Sequence, residues 1–359
     1  MELFEEAVAL SIAQVPRLRL AEALHAVRVA RRDMLPGLEP VSLGAALEQA
    51  GYPDLADAVS GRIGDARTLL DKGARRNISA IAWNTQEYPS KLAEIFDPPP
   101  ALWVQGTREW LERPTVAIVG SRSASQYALD VAERLARDLA ARGVVVVSGM
   151  ARGVDSAAHR GALEGGGSTV AVLGSGVDVI YPREHTRLSI AIRERGALVS
   201  ELAPGTPALP HHFPLRNRLI SGLSSALVVV EASERSGSLI TARSALEQGR
   251  EVMAVPGNVL SERNRGAHAL LRDGACLVET ADDVLRELGI VTRDRPKHAE
   301  DAAPDADPLL TAMTAGETYD LEVLAARSCL AGPALLAALS ELELKGLVRR
   351  TVAGQFVRC

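Results

Sequence analysis

The chain has 359 residues, 47% of them hydrophobic but only 3% aromatic, enough for two or three domains whose cores are built from Leu, Val, Ile and Ala. Its formal net charge of −5 excludes a uniformly basic nucleic-acid binder, so contacts with anions must come from local clusters; the basic residues are nearly all Arg, which grips phosphates bidentately and stacks on bases. No apolar run approaches the roughly 18–20 residues of a membrane span, the acidic start MELFEEAVALSIAQVPRL lacks a signal-peptide pattern, and Cys276, Cys329 and Cys359 are too far apart for a CxxC pair or a metal-ligand spacing, which predicts a cytoplasmic protein with free thiols, no membrane contact and no metal.

Residues 1–75 carry apolar residues at helical spacing in FEEAVALSIAQV, RLAEALHAVRVARRD, LGAALEQA and DARTLLDKG, interrupted at Pro36, Gly37 and Pro53. They read as a small helical domain. It is either a packing unit or a DNA-backbone-binding module of the helix-hairpin-helix or SAM-like kind, although no Gly-x-Gly hairpin is evident. From Asn77 to Pro114 runs a connector whose triple Pro at 98–100 forbids helix, after which ALWVQG reads as a short strand. With this lead-in, the second domain spans 76–289.

Residues 115–289 alternate strand and helix. The strands TVAIVG, GVVVVSG, STVAVLGSG, ALVSELA, SALVVVEAS, EVMAVPG and ACLVET are continuous apolar runs, the pattern of strands buried on both faces of a parallel sheet. Helical patterns such as YALDVAERLARDLAARG and SLITARSALEQG lie between them. The prediction is an α/β fold with a Rossmann-like, doubly wound, mostly parallel sheet. Residues 290–307 are polar, contain Pro and lack apolar period, so they read as a flexible linker. Residues 308–359 give three helices (DPLLTAM, LEVLAARSC, GPALLAALSELELKG) and a two-stranded hairpin (LVRRTVAGQFVR), a winged-helix pattern. The second reading helix carries few basic residues, which leaves protein contacts as well as DNA open for this module.

Chemistry concentrates at the strand ends. The first strand ends in Gly120, Ser121 and Arg122, and a helix begins near Ser125 with free N–H groups facing the same side. This turn matches neither GxxxxGK[ST] nor G-x-G-x-x-G, and a plain tight turn with an incidental Arg fits it too. The second crossover holds Ser148, Gly149, Arg152 and Gly153. Asp155 and His159 share a helix face there, but Asp155 reads as support for the helix N-terminus and loop, not as half of an acid–base pair. The third strand ends in LGSGVDVIYP. The fourth turn, EASERSGSLIT, offers Ser236, Gly237 and Ser238 to cap a helix and hold an anion. In HHFPLRNRLISGLS, Phe213 sets a flat ring beside Arg216 and Arg218, which suits a flexible, charged, base-bearing polymer. His211 and His212 lack metal-site spacing. Several Gly-rich ends at one sheet edge reinforce one another, because ligands bind at the carboxyl edge of such sheets, and Arg122, Arg152, Arg216 and Arg218 are expected to line one cleft. No nucleophile–base set and no cofactor motif emerges.

At VAIVGSR, VSGMARGVDSAAHRGAL, VAVLGSGVDVIYP, HHFPLRNRLISGLS, VVVEASERSGSLITARSALEQGREVMAVPG and GAHALLRDGACLV, in that order, the chain resembles the DNA processing protein A family, DprA or Smf. The likeness runs over about 75–357. It implies a non-enzymatic protein that binds single-stranded DNA through the Rossmann-like domain, acts as a homodimer and loads the RecA recombinase in natural transformation. Carried over by motif position, it implies DNA roles for Ser121, Arg122, Ser148, Gly149, Arg152, Phe213, Arg216, Asn217 and Arg218. Some members carry a basic residue three positions before the Phe; here Pro210 stands there. The alternative is a LOG-like nucleotide phosphoribohydrolase on a related fold. Its PGGxGT turn and catalytic Glu match poorly: Ser238 stands at the second Gly, and the next Glu is Glu247, far along the helix.

Overall fold

The computed structural model describes residues 2–13, 15–32, 42–83, 85–290, 307–313, 317–328, 330, 332–351 and 354–358. The predicted linker falls almost wholly outside them. So do Cys329 and Cys359, while Cys276 carries a free thiol. Backbone packing divides the chain into two compact units, Met1–Val291 and Thr292–Cys359.

Among the described residues, the first unit opens with five helices, α1 (Glu2–Ser11), α2 (Arg17–Arg32), α3 (Leu43–Gln49), α4 (Pro53–Ser60) and α5 (Ile63–Ala74). Local chemistry sets their starts: the Ser42 hydroxyl accepts from the Ala45 N–H to cap α3, and Pro53 opens α4 where a missing N–H costs nothing. Their apolar faces do not form a separate core. Val8, Leu10, Leu24, Leu47 and Leu55 are buried in one cluster with Ile81, Leu102 and Trp103 of the sheet. The helical module and the sheet thus share a hydrophobic core across residue 75.

The connector carries a strand that the sequence pattern does not reveal. β1 (Ser79–Ala82) precedes the short helix α6 (Ser90–Ala93), and the predicted strand β2 (Ala101–Gly106) follows. β1 pairs antiparallel with β2, and β2 antiparallel with β6. The alternating segment then supplies β3 (Thr115–Val119), α7 (Gln126–Ala140), β4 (Val145–Ser148), α8 (Val154–Glu164), β5 (Thr169–Val172), α9 (Thr186–Arg195), β6 (Ala197–Ser200), α10 (His212–Gly222), β7 (Ala226–Val229), α11 (Ser238–Glu247), β8 (Glu251–Ala254), α12 (Arg265–Arg272), β9 (Cys276–Leu277) and α13 (Ala281–Glu287). The nine-stranded order is β1-β2-β6-β5-β4-β3-β7-β8-β9, parallel from β6 through β9.

Both faces of this sheet are buried. Ala117, Val147, Leu227 and Val229 pack on one face, and Val116, Ile118, Val146 and Val228 on the other. Alternation along each strand sends successive side chains to opposite layers, so every position must be apolar. α7 covers the second face with Ala128, Ala132, Leu135, Ala136 and Leu139, a stripe at helical period. The crossovers run one way from β3 to β6 and the other way from β7 to β9. The order therefore reverses between β3 and β7, where a crevice opens at the carboxyl ends of the strands.

The second unit holds α14 (Pro308–Thr311), β10 (Thr318–Tyr319), α15 (Leu321–Ser328), α16 (Gly332–Leu344), β11 (Val348–Arg350) and β12 (Phe356–Arg358). The three predicted helices and the hairpin are present. The small sheet has a third strand, β10, antiparallel to β12. Leu309, Leu324, Leu335, Leu339 and Phe356 make this unit's own core.

Candidate nucleic-acid interface

A pocket of about 470 Å3 lies at the reversal point, beyond the ends of β3 and β7. Three features line it. The turn Gly120–Ser123 forms one wall, Phe213 and Asn217 of α10 form another, and Ser236–Thr241 at the start of α11 form the third, with Asp155 and Arg216 below.

Phe213 is half-buried and held in a row of flat groups. The Arg122 guanidinium carbon lies 5.5 Å from its ring centroid. The Tyr181 ring, half-exposed, lies 5.5 Å away at 48°. A Cβ on Gly174 would come within 3.0 Å of the Phe213 ring, so that backbone forms its bed. Arg122 itself is exposed and forms no ion pair among the described residues. Tyr181 was not singled out from the sequence; its signal is an aromatic closing the Gly/Ser turn of VDVIYP.

The neighbouring arginines behave differently. Arg216 is only 3% exposed and donates from Nη1 to the Gly149 carbonyl at 2.6 Å and to the Val172 carbonyl. Burial pulls its pKa down to about 10. Asp155, also buried and pushed upward by desolvation, faces it, and accepts from the Gly149 N–H at 3.1 Å and the Ala151 N–H at 3.4 Å. A Cβ on Gly149 would sit 2.3 Å from Arg216 Nη1, so this glycine makes room for the guanidinium and not for a phosphate. Gly153, at φ +76°, has no space for a Cβ against the Ser121 carbonyl, and Gly120 is closed off by Val154. These glycines hold three turns against one another.

Arg218 does not reach the pocket. It donates from Nε to Asp97 at 2.9 Å and from Nη2 to Glu201 at 2.5 Å, and Arg17 of α2 also pairs with Asp97. Although burial works against its charge, Glu201 and Asp97 hold the guanidinium above its ordinary pKa. The physical reason for this correction is helical geometry. Residues two apart on a helix lie about 200° apart, so Arg216 and Arg218 of α10 cannot line one wall. Asn217, between them, faces the pocket and reaches the Gly237 carbonyl at 3.4 Å.

The remaining expected residues divide in the same way. Ser148 is fully buried and donates to the Ile118 carbonyl at 2.6 Å, which removes it from the surface. Arg152 is exposed but outside the pocket lining, and its fork grips Glu184, with Nη2 to Oε2 at 2.9 Å. Ser121 lies in the wall and accepts from the Ser123 N–H at 3.2 Å. Ser236 and Ser238 share a 2.7 Å hydroxyl contact at the start of α11, with Gly237 as its N-cap. The α7 N-terminus is not free: the buried Glu231 carboxylate accepts from the Ser125 N–H and hydroxyl. Asp155 serves the loop as expected. His159 donates to or accepts from the Thr169 hydroxyl at 2.7 Å, fully buried, with its pKa pulled down to about 3 by desolvation. The pocket thus collects Gly120, Ser121, Arg122, Phe213, Asn217 and Ser236–Ser238. It offers one unpaired cation, hydroxyl and backbone donors, and a stacking ring, a set suited to a phosphate with its base.

Comparison with known proteins gives the same direction. The family DNA recombination-mediator protein A matches residues 79–289, and the DprA winged helix domain matches 293–354. The chain is 41% identical to Protein Smf of Escherichia coli over 291 residues, covering 79% of this chain and 78% of that protein. It is 45% identical over 201 residues to the DNA processing protein DprA of Streptococcus pneumoniae, covering 56% and 71%. An X-ray structure of the Streptococcus pneumoniae protein superposes with a TM-score of 0.68 at 36% identity, covering 80% of this chain and 99% of that one. A structure of DNA processing protein A from Helicobacter pylori, described for its single-stranded DNA binding mode, gives 0.54 at 30% identity, covering 59% and 95%.

Proposed function

Because this chain belongs to the DNA recombination-mediator protein A family, we propose that it binds single-stranded DNA in the pocket at the β3–β7 reversal and delivers the strand to a RecA-type recombinase in the cytoplasm. The observation that carries the reading is the row Arg122–Phe213–Tyr181, an unpaired guanidinium and two rings at 5.5 Å spacings beside an otherwise polar pocket. A stacked ring accepts any base, and an exposed Arg follows the backbone, so the set reads a strand without reading its sequence.

The protein acts by holding DNA and not by transforming it. Asp155, the carboxylate of the pocket, is tied to two backbone N–H groups and opposed by Arg216. Glu247, the residue that a phosphoribohydrolase reading requires, stands exposed at the far end of α11, outside the pocket lining. Two copies pair through the α12–β9 side, where Leu270 and Leu271 are half-buried and Leu277, on the edge strand, is 51% exposed. A paired molecule presents two pockets to one strand and gains avidity.

Titrating single- and double-stranded oligonucleotides at two salt concentrations tests this reading. Tighter binding of the single strand, with affinity falling as salt rises, is expected. Equal binding of both forms, or none, overturns it, and release of free base from nucleoside monophosphates would restore the enzyme reading. Light scattering and a RecA nucleation assay on coated DNA test the pairing and the hand-over.

A further inference from the structure

A second trough, of about 790 Å3, adjoins the pocket on the β8 side and is lined by Tyr127, Pro256, Gly257, Asn258, Arg263 and Asn264. The two share the turn after β3. Ser123 lines the first, and its carbonyl accepts from Arg263 Nη1 of the second. Tyr127 is half-exposed, and its hydroxyl donates to the Pro256 carbonyl at 3.1 Å, so the ring is fixed while a face stays open. Resting on the single-strand reading above, we infer that the strand continues from Phe213 past Arg122 and Arg263, and that Tyr127 is a second stacking platform for a base in this trough.

Three features select a base as occupant. First, the trough is a poor anion site, because the Glu231 carboxylate lines it and already holds the N-terminus of α7. A neutral flat group fits where a phosphate is repelled. Second, Arg263 has no carboxylate partner among the described residues. It holds the Ser123 carbonyl, and Arg122 precedes Ser123 in the wall of the pocket, so two guanidiniums flank the turn that a strand must pass between pocket and trough. Third, the loop that follows Asn258 exposes apolar side chains. Val259 and Leu260 are 80% and 92% exposed, while the Leu260 N–H donates to Asn258 Oδ1 at 2.8 Å. Exposed apolar side chains next in the chain to a lining residue, Asn258, gain from a flat, weakly hydrated cover such as a nucleobase.

The test uses oligothymidylates of stepwise increasing length, with affinity read by anisotropy for the wild-type protein, Tyr127→Ala and Tyr127→Phe. Wild type is expected to gain about tenfold in affinity as the strand grows long enough to reach the trough, the increment of one stacked base. Tyr127→Ala removes that gain, and Tyr127→Phe, which keeps the ring and loses the hydroxyl, retains it. Thermal melts confirm that both variants are folded. A length gain that survives Tyr127→Ala overturns the inference and leaves the first pocket standing. Loss of the gain in both variants also overturns it, because the hydroxyl and its loop, not the ring, would then matter. A change in light-scattering mass with the length gain intact assigns the trough to a second copy instead. A wild-type protein that binds no single strand at all overturns this inference together with the reading it rests on.

Discussion

The turn after β3 and the helix α10 stand side by side at the same sheet edge, and both carry arginine, yet they use it in opposite ways. Arg122 sits on an exposed turn and forms no ion pair among the described residues, with Phe213 beside it. Arg216 and Arg218 sit on a helix and are themselves buried. One donates to two carbonyls beneath the pocket, and the other is clamped between Asp97 and Glu201. The difference follows from the backbone. A turn at a strand end projects its side chain outward, whereas a helix packed on both sides sends alternate residues into protein. The same guanidinium is a ligand contact in the first setting and a scaffold member in the second, where its five donors brace several chain segments at once.

The largest effect is expected from breaking the scaffold. Arg216→Met should destabilise the fold by about 3–5 kcal/mol, because it leaves Asp155 buried without its counter-charge and two carbonyls without their donor. Denaturant unfolding measures it. A variant that unfolds like wild type but loses the salt dependence of binding would erase the contrast between the two regions and return Arg216 to the phosphate contacts.

A pH change should probe the buried scaffold beneath the pocket without any substitution. His159 lies one helical turn beyond Asp155, and burial pulls its pKa from the usual value near 6.5 to about 3. The unfolded chain therefore takes up the proton first. The stability His159 contributes is complete above pH 6.5 and falls as pH drops toward 3, by about 1.4 kcal/mol per unit. Between pH 6.5 and 5 the loss is about 2 kcal/mol, and it should shrink in a His159→Asn variant. Stability that stays flat over this window in the wild type would mean that His159 is charged in the fold.

Much of this arrangement was legible in the chain itself. The strands from β3 to β8 read directly, because a sheet covered on both faces demands unbroken apolar runs. β1 did not, since SAIA is short and Ala-rich, and β10 is two residues long. The Gly/Ser turns marked the pocket, but periodicity cannot say which way a helical Arg points once neighbours from distant sequence close over it. Asp97 and Glu201, the partners of Arg218, lie 121 and 17 residues away. The shared core of helices and sheet was hidden for the same reason. Tyr127 and Tyr181 passed as ordinary members of a helix and a loop, and only the fold shows that both rings remain open at the carboxyl edge.

Phe213→Ala comes next in size. The ring rests on Gly174 and is half-exposed, so its removal should cost little stability but weaken single-strand binding by about 1–3 kcal/mol. The salt slope should stay unchanged, since stacking releases no counterions. A loss confined to low salt would mean that Phe213 acts by steadying Arg122, 5.5 Å away, and the two would then count as one contact.

Arg122→Ala should give the smallest change in affinity and the most specific one. An exposed guanidinium with no ion pair among the described residues contributes little to folding, so the melting temperature should stay near wild type, in contrast to Arg216→Met. Its contact with a phosphate displaces condensed counterions, and losing that contact should lower the magnitude of the log–log salt slope by about 0.7 on a single strand. The affinity loss should therefore be clear at low salt and fade as salt rises. Arg152 provides the internal control: it too is exposed, but Glu184 already grips its fork. If the strand displaces Glu184, Arg152→Ala will change the slope as Arg122→Ala does. If the pair holds, only Arg122 will, and the distinction between a free and an engaged arginine will apply within the exposed surface as well as between surface and core.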